Sequence, residues 1–149
     1  MSTKLEKLSH YAVIIIALSA LVVSITQTRI QQKHNKLTVK PYLGYSLNQS
    51  FDDDLLTVYI TNDGFGPAIV DKIIFIYNGK TYKTLEDYLK ASGESKNRRG
   101  SYNYNKNSVF RSNEKNLLVS LKGLKHRGVT VKIYYKSIYQ EKGELTFTF

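Results

Sequence analysis

The segment from Lys96 to Asn107 combines cations, tyrosines and asparagines and contains no aliphatic side chain. Arginine carries planar, permanently charged donors that suit phosphate oxygens. Tyrosine offers a ring on which a nucleobase can stack. Together these residue types indicate contact with a nucleotide or RNA. The candidate ligand-binding residues are Lys96, Arg98, Arg99, Tyr102, Tyr104, Lys106 and Arg111.

Charge distribution around this segment also favours an anionic partner. The chain has a net charge of +10, and from Lys96 to Arg127 only Glu114 opposes the lysines and arginines. A concentrated positive field attracts phosphate esters, nucleic acid or an acidic lipid surface. At an anionic leaflet each nearby cation contributes about 1 kcal/mol. A solvated basic loop without a ligand is the other interpretation, since charge runs are usually solvated.

The residues that catalysis and metal binding require are missing from the sequence. There is no cysteine, which excludes thiolate chemistry, disulfides and cysteine-ligated metals. The three histidines, His10, His34 and His126, are too scattered to form a ligand set. No serine lies in a nucleophile elbow, and no carboxylate pair has a recognisable spacing. We therefore expect a non-enzymatic protein with neither cofactor nor metal.

A glycine-rich stretch, "NDGFGPA" at 62–68, superficially suggests a phosphate-binding loop. It lacks the Lys-Ser/Thr ending of such a loop, and a strand pattern rather than a helix follows it. Glycine and asparagine are the residues that tight turns demand. This stretch predicts a turn between two strands. Asp52, Asp53 and Asp54 have no calcium-loop spacing and predict a solvated turn.

Residues 8–26 are apolar, without a charged side chain, and predict a transmembrane helix behind a short tail at 1–7. About 18 helical residues extend about 27 Å, close to the thickness of the hydrocarbon core of a bilayer. A cleaved signal peptide is the competing interpretation, because Lys4 and Lys7 precede the apolar run. Ala20 and Ser24 are spaced so that two spans could pack closely, and we expect a homo-oligomer formed through the span. Ordinary apolar filler is the other interpretation of this pair.

Residues 27–36 predict a juxtamembrane helix or linker that ends near His34 and Asn35. Cations flanking a span tend to remain in the cytoplasm. Two of them precede the span, and more follow it in the next few residues, namely Arg29, Lys33, Lys36 and Lys40. The count predicts that the C-terminal domain is cytoplasmic.

Residues 37–149 change to short segments rich in β-branched and aromatic residues, which predict strands. These segments are 37–47, 55–61, 68–77, 80–83, 108–110, 116–121, 129–139 and 144–149. Asn78-Gly79 predicts a hairpin turn, and residues 84–92 predict a short helix capped by Thr84. The expected fold is mainly β: a transmembrane helix followed by an antiparallel immunoglobulin-like β-sandwich with one short helix. A small barrel is the alternative.

Three stretches carry a resemblance to known proteins: "RIQQKHNKLTVKP" after the span, "TNDGFGPAIVDKI", and "VKIYYKSIY" near the end. With them the chain resembles small, largely uncharacterised bacterial proteins made of one membrane span and a β-sandwich. The resemblance implies this architecture and brings no catalytic residue. Together with the predicted span and its orientation, it leads us to expect a single-pass protein of the bacterial inner membrane. The chain departs from the expected pattern at Lys136 and within 140–143, where such proteins would carry Cys and Trp.

These features predict a membrane-anchored sensor or effector whose basic domain binds an anionic ligand, such as a nucleotide messenger, and acts through its span. By analogy of architecture alone, this layout is similar to membrane-acting effectors of bacterial phage defence. The alternative is a membrane-tethered adaptor or assembly subunit that binds a protein partner through its sheet edges, while the basic loop contacts membrane lipid. A secreted or periplasmic domain, released by signal cleavage, is the third interpretation.

Overall fold

The structure is a computed structural model that describes residues 2–149, which belong to two compact units. The first unit ends at Thr38 and consists of the helix α1, Ser2–Thr38. The second unit begins at Val39 and contains all the strands of the described chain.

Helix α1 is long and apolar enough to cross a membrane, as predicted. Its 37 residues correspond to a length of about 55 Å. Ser19, Thr26 and Thr28 each donate a hydrogen bond to the carbonyl four residues earlier, at 2.8–2.9 Å. Lipid offers no hydrogen-bond partners, so polar groups inside it must be satisfied within the protein. These three hydroxyls are satisfied in this way.

The end of α1 differs from the prediction. The helix passes Asn35 and continues to Thr38, whose hydroxyl donates to the carbonyl of His34 at 2.9 Å. Pro41 disfavours a helical conformation at the residue before it, so the helix stops shortly before the proline. The prediction of a first strand over 37–47 was therefore wrong for its first half, because the strand begins at Leu43.

The second unit is built from two antiparallel sheets. The first sheet has the order β1 (Leu43–Ser50), β2 (Leu55–Asn62), β7 (Lys115–Lys122) and β5 (Arg98–Ser101). The second has the order β4 (Lys80–Tyr82), β3 (Ala68–Tyr77), β8 (Thr130–Lys136) and β9 (Lys142–Thr148), and β6 (Val109–Phe110) pairs with β3.

This strand order confirms the immunoglobulin-like prediction. Such a sandwich pairs its first, second, fifth and fourth strands in one sheet, and the remaining strands in the other. When the short strands β4 and β6 are left out of the count, β5 is the fourth strand and β7 the fifth. The first sheet, with the order β1, β2, β7 and β5, therefore has this arrangement. The second sheet holds β3, β8 and β9, with β4 as an additional edge strand.

Alternating side chains of the strands fill the space between the sheets. In β2, Leu56, Val58 and Ile60 are buried, and the residues between them are only partly buried. Strand β8 repeats this pattern with Val131 and Ile133. A period of two places one face of each strand in the core, as the sequence predicted.

Local turn signals were also confirmed. Asn78 and Gly79 have φ values of 48° and 73° and join β3 to β4. Helix α2, Leu85–Ala91, begins after Thr84, whose hydroxyl accepts a hydrogen bond from the backbone N–H of Asp87 at 3.1 Å.

The basic segment is more regular than the loop that its composition indicated. A 3-10 helix covers Glu94–Asn97, and the strand β5 follows it directly. An edge strand pairs through its backbone alone, so β5 can form against β7 without aliphatic side chains.

The predicted turn at 62–68 joins β2 to β3 and centres on a buried amide. The side-chain oxygen of Asn62 accepts from the backbone N–H groups of Tyr42 and Gly64, both at 3.1 Å. Its side-chain nitrogen donates to the carbonyls of Gly66 and Phe110, at 2.8 and 3.0 Å. Asn62 therefore fixes the turn and the residue that precedes β1.

Candidate ligand-binding site

A cleft of about 210 Å³ opens between the two sheets, bordered by residues 102–105. Its floor is apolar and consists of Ile73, Phe75, Leu85 and Leu118. Its rim is polar and aromatic and consists of Lys83, Thr84, Glu86, Tyr102, Asn103, Tyr104 and Asn105. Pockets for drug-sized ligands measure roughly 300–1,000 Å³. This cleft is smaller and suits one ring-sized group of a ligand, with the remainder outside.

Hydrogen bonds hold the bordering segment against the first sheet. The backbone N–H of Tyr102 donates to the carbonyl of Leu118 at 3.2 Å. The hydroxyl of Tyr104 donates to the carbonyl of Leu117 at 2.8 Å. A local hydrogen bond closes the turn that follows, since the backbone N–H of Asn105 donates to the hydroxyl of Ser108 at 3.0 Å. Hydrogen bonds within the protein therefore fix this border of the cleft.

The two tyrosines predicted as ligand contacts have different environments. Tyr102 is 65 % exposed, and its ring lies at the rim of the cleft. Tyr104 is half-buried and packs edge-on against Phe110, with ring centroids 4.8 Å apart. Burial is the main reason that the pKa of Tyr104 is raised to about 12, and electrostatic interactions with Tyr102 and Glu114 act in the same direction. The rings of Tyr102 and Tyr104 stack on each other, with centroids 6.2 Å apart. The more exposed Tyr102 therefore keeps one ring face on which a ligand can stack.

Arg98 lies near the cleft but already has an anionic partner. Its guanidinium donates to the carboxylate of Glu86, a rim residue. The side chains of Arg98 and Glu86 are 39 % and 36 % exposed, so this is a surface ion pair. Lys90 approaches the same carboxylate at 3.9 Å.

The other predicted cations do not line the cleft. They are exposed, and none takes part in the ion pairs found among residues 2–149. They are Lys96, Arg99, Lys106 and Arg111. The structure therefore brings Tyr102 and Tyr104 together at the cleft, and leaves these four cations on the surrounding surface.

Sequence reasoning missed several rim residues, above all Lys83, Asn103 and Asn105. Lys83 lies far from Tyr102 in the chain and reaches the cleft only because β4 leads into α2 at this edge of the sandwich. The two asparagines were within the segment singled out. Their alternation with Tyr102 and Tyr104 was the available signal.

Tyr104 should contribute to stability, and Tyr102 should not. We expect Tyr104→Phe to lower the free energy of unfolding by about 1 kcal/mol, because the hydrogen bond to Leu117 is lost. Since the folded-state pKa is raised, the contribution of Tyr104 is complete below pH 10 and is lost as the pH rises towards 12. Chemical denaturation of both variants checks this, and an equal loss in Tyr102→Phe would contradict it.

A second recess, of about 160 Å³, surrounds the buried carboxylate of Glu94. The charged side chains there pair with one another and stabilise the fold. Glu94 is 7 % exposed at its side chain and forms an ion pair with Lys125 at 2.8 Å. Arg127, 2 % exposed, brings its Nε atom to 3.3 Å from the same carboxylate, in a contact without hydrogen-bond geometry. Its other nitrogens donate to the carbonyls of Lys122 and Lys125 at 2.7 Å.

Electrostatics in this recess favour the charged form of Glu94. Burial alone would raise the pKa of Glu94, but hydrogen bonds from Lys125 and Asn97 and the charge of Arg127 outweigh burial. The net effect holds the pKa below its ordinary value. Within residues 2–149, no three His, Asp or Glu side chains come together as a metal site would require.

Neither the models of known protein families nor the curated proteins include a match to this chain.

Proposed function

We propose that this chain is a non-enzymatic, single-pass protein of the bacterial inner membrane whose basic cytoplasmic sandwich binds an anionic nucleotide ligand. The observation that supports this function is the cleft with an exposed tyrosine at its rim. Ligand binding then acts through the membrane span.

The side chains of the cleft suit a nucleobase. An apolar floor accepts the ring, and Tyr102 offers a face for stacking, worth about 1–3 kcal/mol per base. Asn103 and Asn105 carry both donors and acceptors, which match the mixed polar edge of a base. A single base fits the volume, so the phosphates would lie outside, where Lys83 is placed at the rim.

Arg98 can join this site when a phosphate arrives. Its surface ion pair with Glu86 contributes only about 0–1 kcal/mol, because both groups keep contact with water. Arginine binds phosphate through two parallel hydrogen bonds. A phosphate near the rim would therefore replace Glu86 at little cost, and Glu86 would remain paired with Lys90.

The membrane span is the part of the chain through which ligand binding would act. Ala20 and Ser24 lie four residues apart on α1, a spacing that lets two spans pack closely. A single span with only small hydroxyls cannot line a polar channel, so any pore would need several copies. An effector role in phage defence rests on analogy of architecture alone.

Binding of labelled cyclic and linear oligonucleotides to the full-length protein in detergent tests this function. We expect one class of nucleotide to bind, and Tyr102→Ala to weaken its binding about 5- to 150-fold through loss of stacking. Lys83→Gln should weaken it as well, and more at low salt. The matched controls are Tyr139→Ala, an exposed tyrosine outside the cleft, and Lys142→Gln. Equal effects of cleft and control variants would overturn the assignment of the cleft.

The adaptor interpretation predicts a different outcome of the same experiment. An adaptor would bind none of the nucleotides and would purify with a protein partner. Its basic segment would contact anionic lipid, and Tyr102→Ala would change neither property.

A further inference from the structure

Strand β1 is an open edge without the usual protection against pairing. It is eight residues long, ends the first sheet, and contains no charged residue. Natural edge strands are protected by charge, proline or shortness. The other edge strands follow this rule: β4 and β6 have only three and two residues, β5 carries Arg98 and Arg99, and β9 carries Lys142 and Glu144.

The core is also partly uncovered along β1. Leu43, Tyr45 and Leu47 share the face of β1 that points towards the second sheet, since their neighbours on β2 are core residues. Leu43 is buried, whereas Tyr45 and Leu47 are 45 % and 42 % exposed. Tyr45 stacks on Phe147 of β9, with ring centroids 4.5 Å apart. Tyr45 and Leu47 therefore form a partly exposed apolar border of the core along β1.

Charges of opposite sign flank this neutral strand. Lys40 precedes it, and Asp52, Asp53 and Asp54 follow it. In an antiparallel pair of two identical strands, the beginning of each strand meets the end of the other. Each Lys40 would then lie beside an acidic run.

We propose that β1 pairs antiparallel with β1 of a second copy of this chain, about a two-fold axis at Ser46. This register places Tyr45 opposite Leu47 of the second copy. It also brings Lys40, which precedes the strand, towards the turn of the second copy that contains Asp52. An aromatic side chain opposite an aliphatic one stabilises a strand pair. A shift by one residue would set the core face of one copy against the outer face of the other. An axis at Leu47 would leave Tyr45 opposite the polar Gln49.

The charge of the chain favours a second copy as the partner that pairs with β1. Two chains of net charge +10 repel each other, which disfavours association through their cation-rich surfaces. The edge of β1 is such a surface, and its two ends complement each other. A two-fold pairing uses the same patch on both copies and closes on itself, as dimers do. The cleft lies at β3 and β7, so β1 can pair whether or not a ligand is bound.

Cysteine cross-linking in membranes tests the register, because the natural chain has no cysteine. In the full-length Ser46→Cys variant the two thiols would face each other across Cα atoms about 4.5–5.5 Å apart, within disulfide range. We expect mild oxidation to convert most of this variant to a covalent dimer. Asn48→Cys is the matched control on the same face, since its two copies would be about 13 Å apart. Equal cross-linking of the two variants, or none in Ser46→Cys, would overturn the proposal.

A charge exchange separates strand pairing from association through the span. In the Ser46→Cys background, Asp52→Lys should lower the cross-linked fraction severalfold, because Lys40 of each copy would then approach a cation instead of a carboxylate. Adding Lys40→Asp should restore it. Thr81→Cys, on the short edge strand β4, should stay monomeric throughout. If the span alone brought the copies together, neither charge variant would change the cross-linked fraction.

Discussion

Gly66→Ala should destabilise the sandwich by about 3 kcal/mol, near the upper end of the cost of overpacking a site. A methyl group at Gly66 would lie 1.8 Å from the carbonyl oxygen and 2.5 Å from the carbonyl carbon of Val39. Both are backbone atoms, so the turn would have to move. Such a movement would also disturb the hydrogen bond from Asn62 to the carbonyl of Gly66.

Gly100→Ala is the matched control for this variant. Its new methyl group would meet only the side chains of Leu117 and Ser120, at ordinary contact distances of 3.5 and 4.0 Å. We expect a change within about 0.5 kcal/mol, as at other surface positions. Thermal unfolding of both variants in detergent makes the comparison. If Gly66→Ala unfolded like Gly100→Ala, the close approach of the turn to Val39 would be wrong.

Glu94→Gln should cost about 3–5 kcal/mol, because it leaves the buried Arg127 without its counter-ion. Exposed ion pairs contribute far less, so Glu86→Gln is the control and should cost at most about 1 kcal/mol. Equilibrium denaturation at neutral pH measures both. A cost for Glu94→Gln no greater than that of Glu86→Gln would contradict the buried network.

Acid should remove the same stabilisation in the natural chain. The folded-state pKa of Glu94 lies below its ordinary value of 4.5. Its contribution is therefore complete above pH 4.5 and is lost as the pH falls through the folded-state value. Denaturation curves between neutral pH and pH 3 should show a smaller acid dependence for Glu94→Gln than for the natural chain.

Local chemistry made much of the fold predictable from the sequence. Positive φ at Asn78 and Gly79 fixes one hairpin, and Thr84 caps the helix that follows. Strands with a buried face show a period of two, as in β2. Strand β5 was missed because an edge strand with Arg98 and Arg99 has no apolar face to reveal it.

The candidate site was harder to predict, because it depends on tertiary contacts. Tyr102 and Tyr104 are alike in sequence, but a hydrogen bond to Leu117 and packing on Phe110 make Tyr104 structural. Lys83 enters the site from another strand. The motif at 62–68 serves the fold through Asn62, whose four side-chain hydrogen bonds join residues distant in the chain.

We expect a nucleotide bound at the cleft to change the assembly of the membrane-anchored protein. Mass photometry of the full-length protein in detergent, with and without a panel of cyclic and linear oligonucleotides, tests this proposal. We expect a defined oligomer whose mass changes with one class of nucleotide, and no such change in Tyr102→Ala. If the mass of the natural protein were indifferent to every nucleotide, the proposal would be wrong and the adaptor would be favoured.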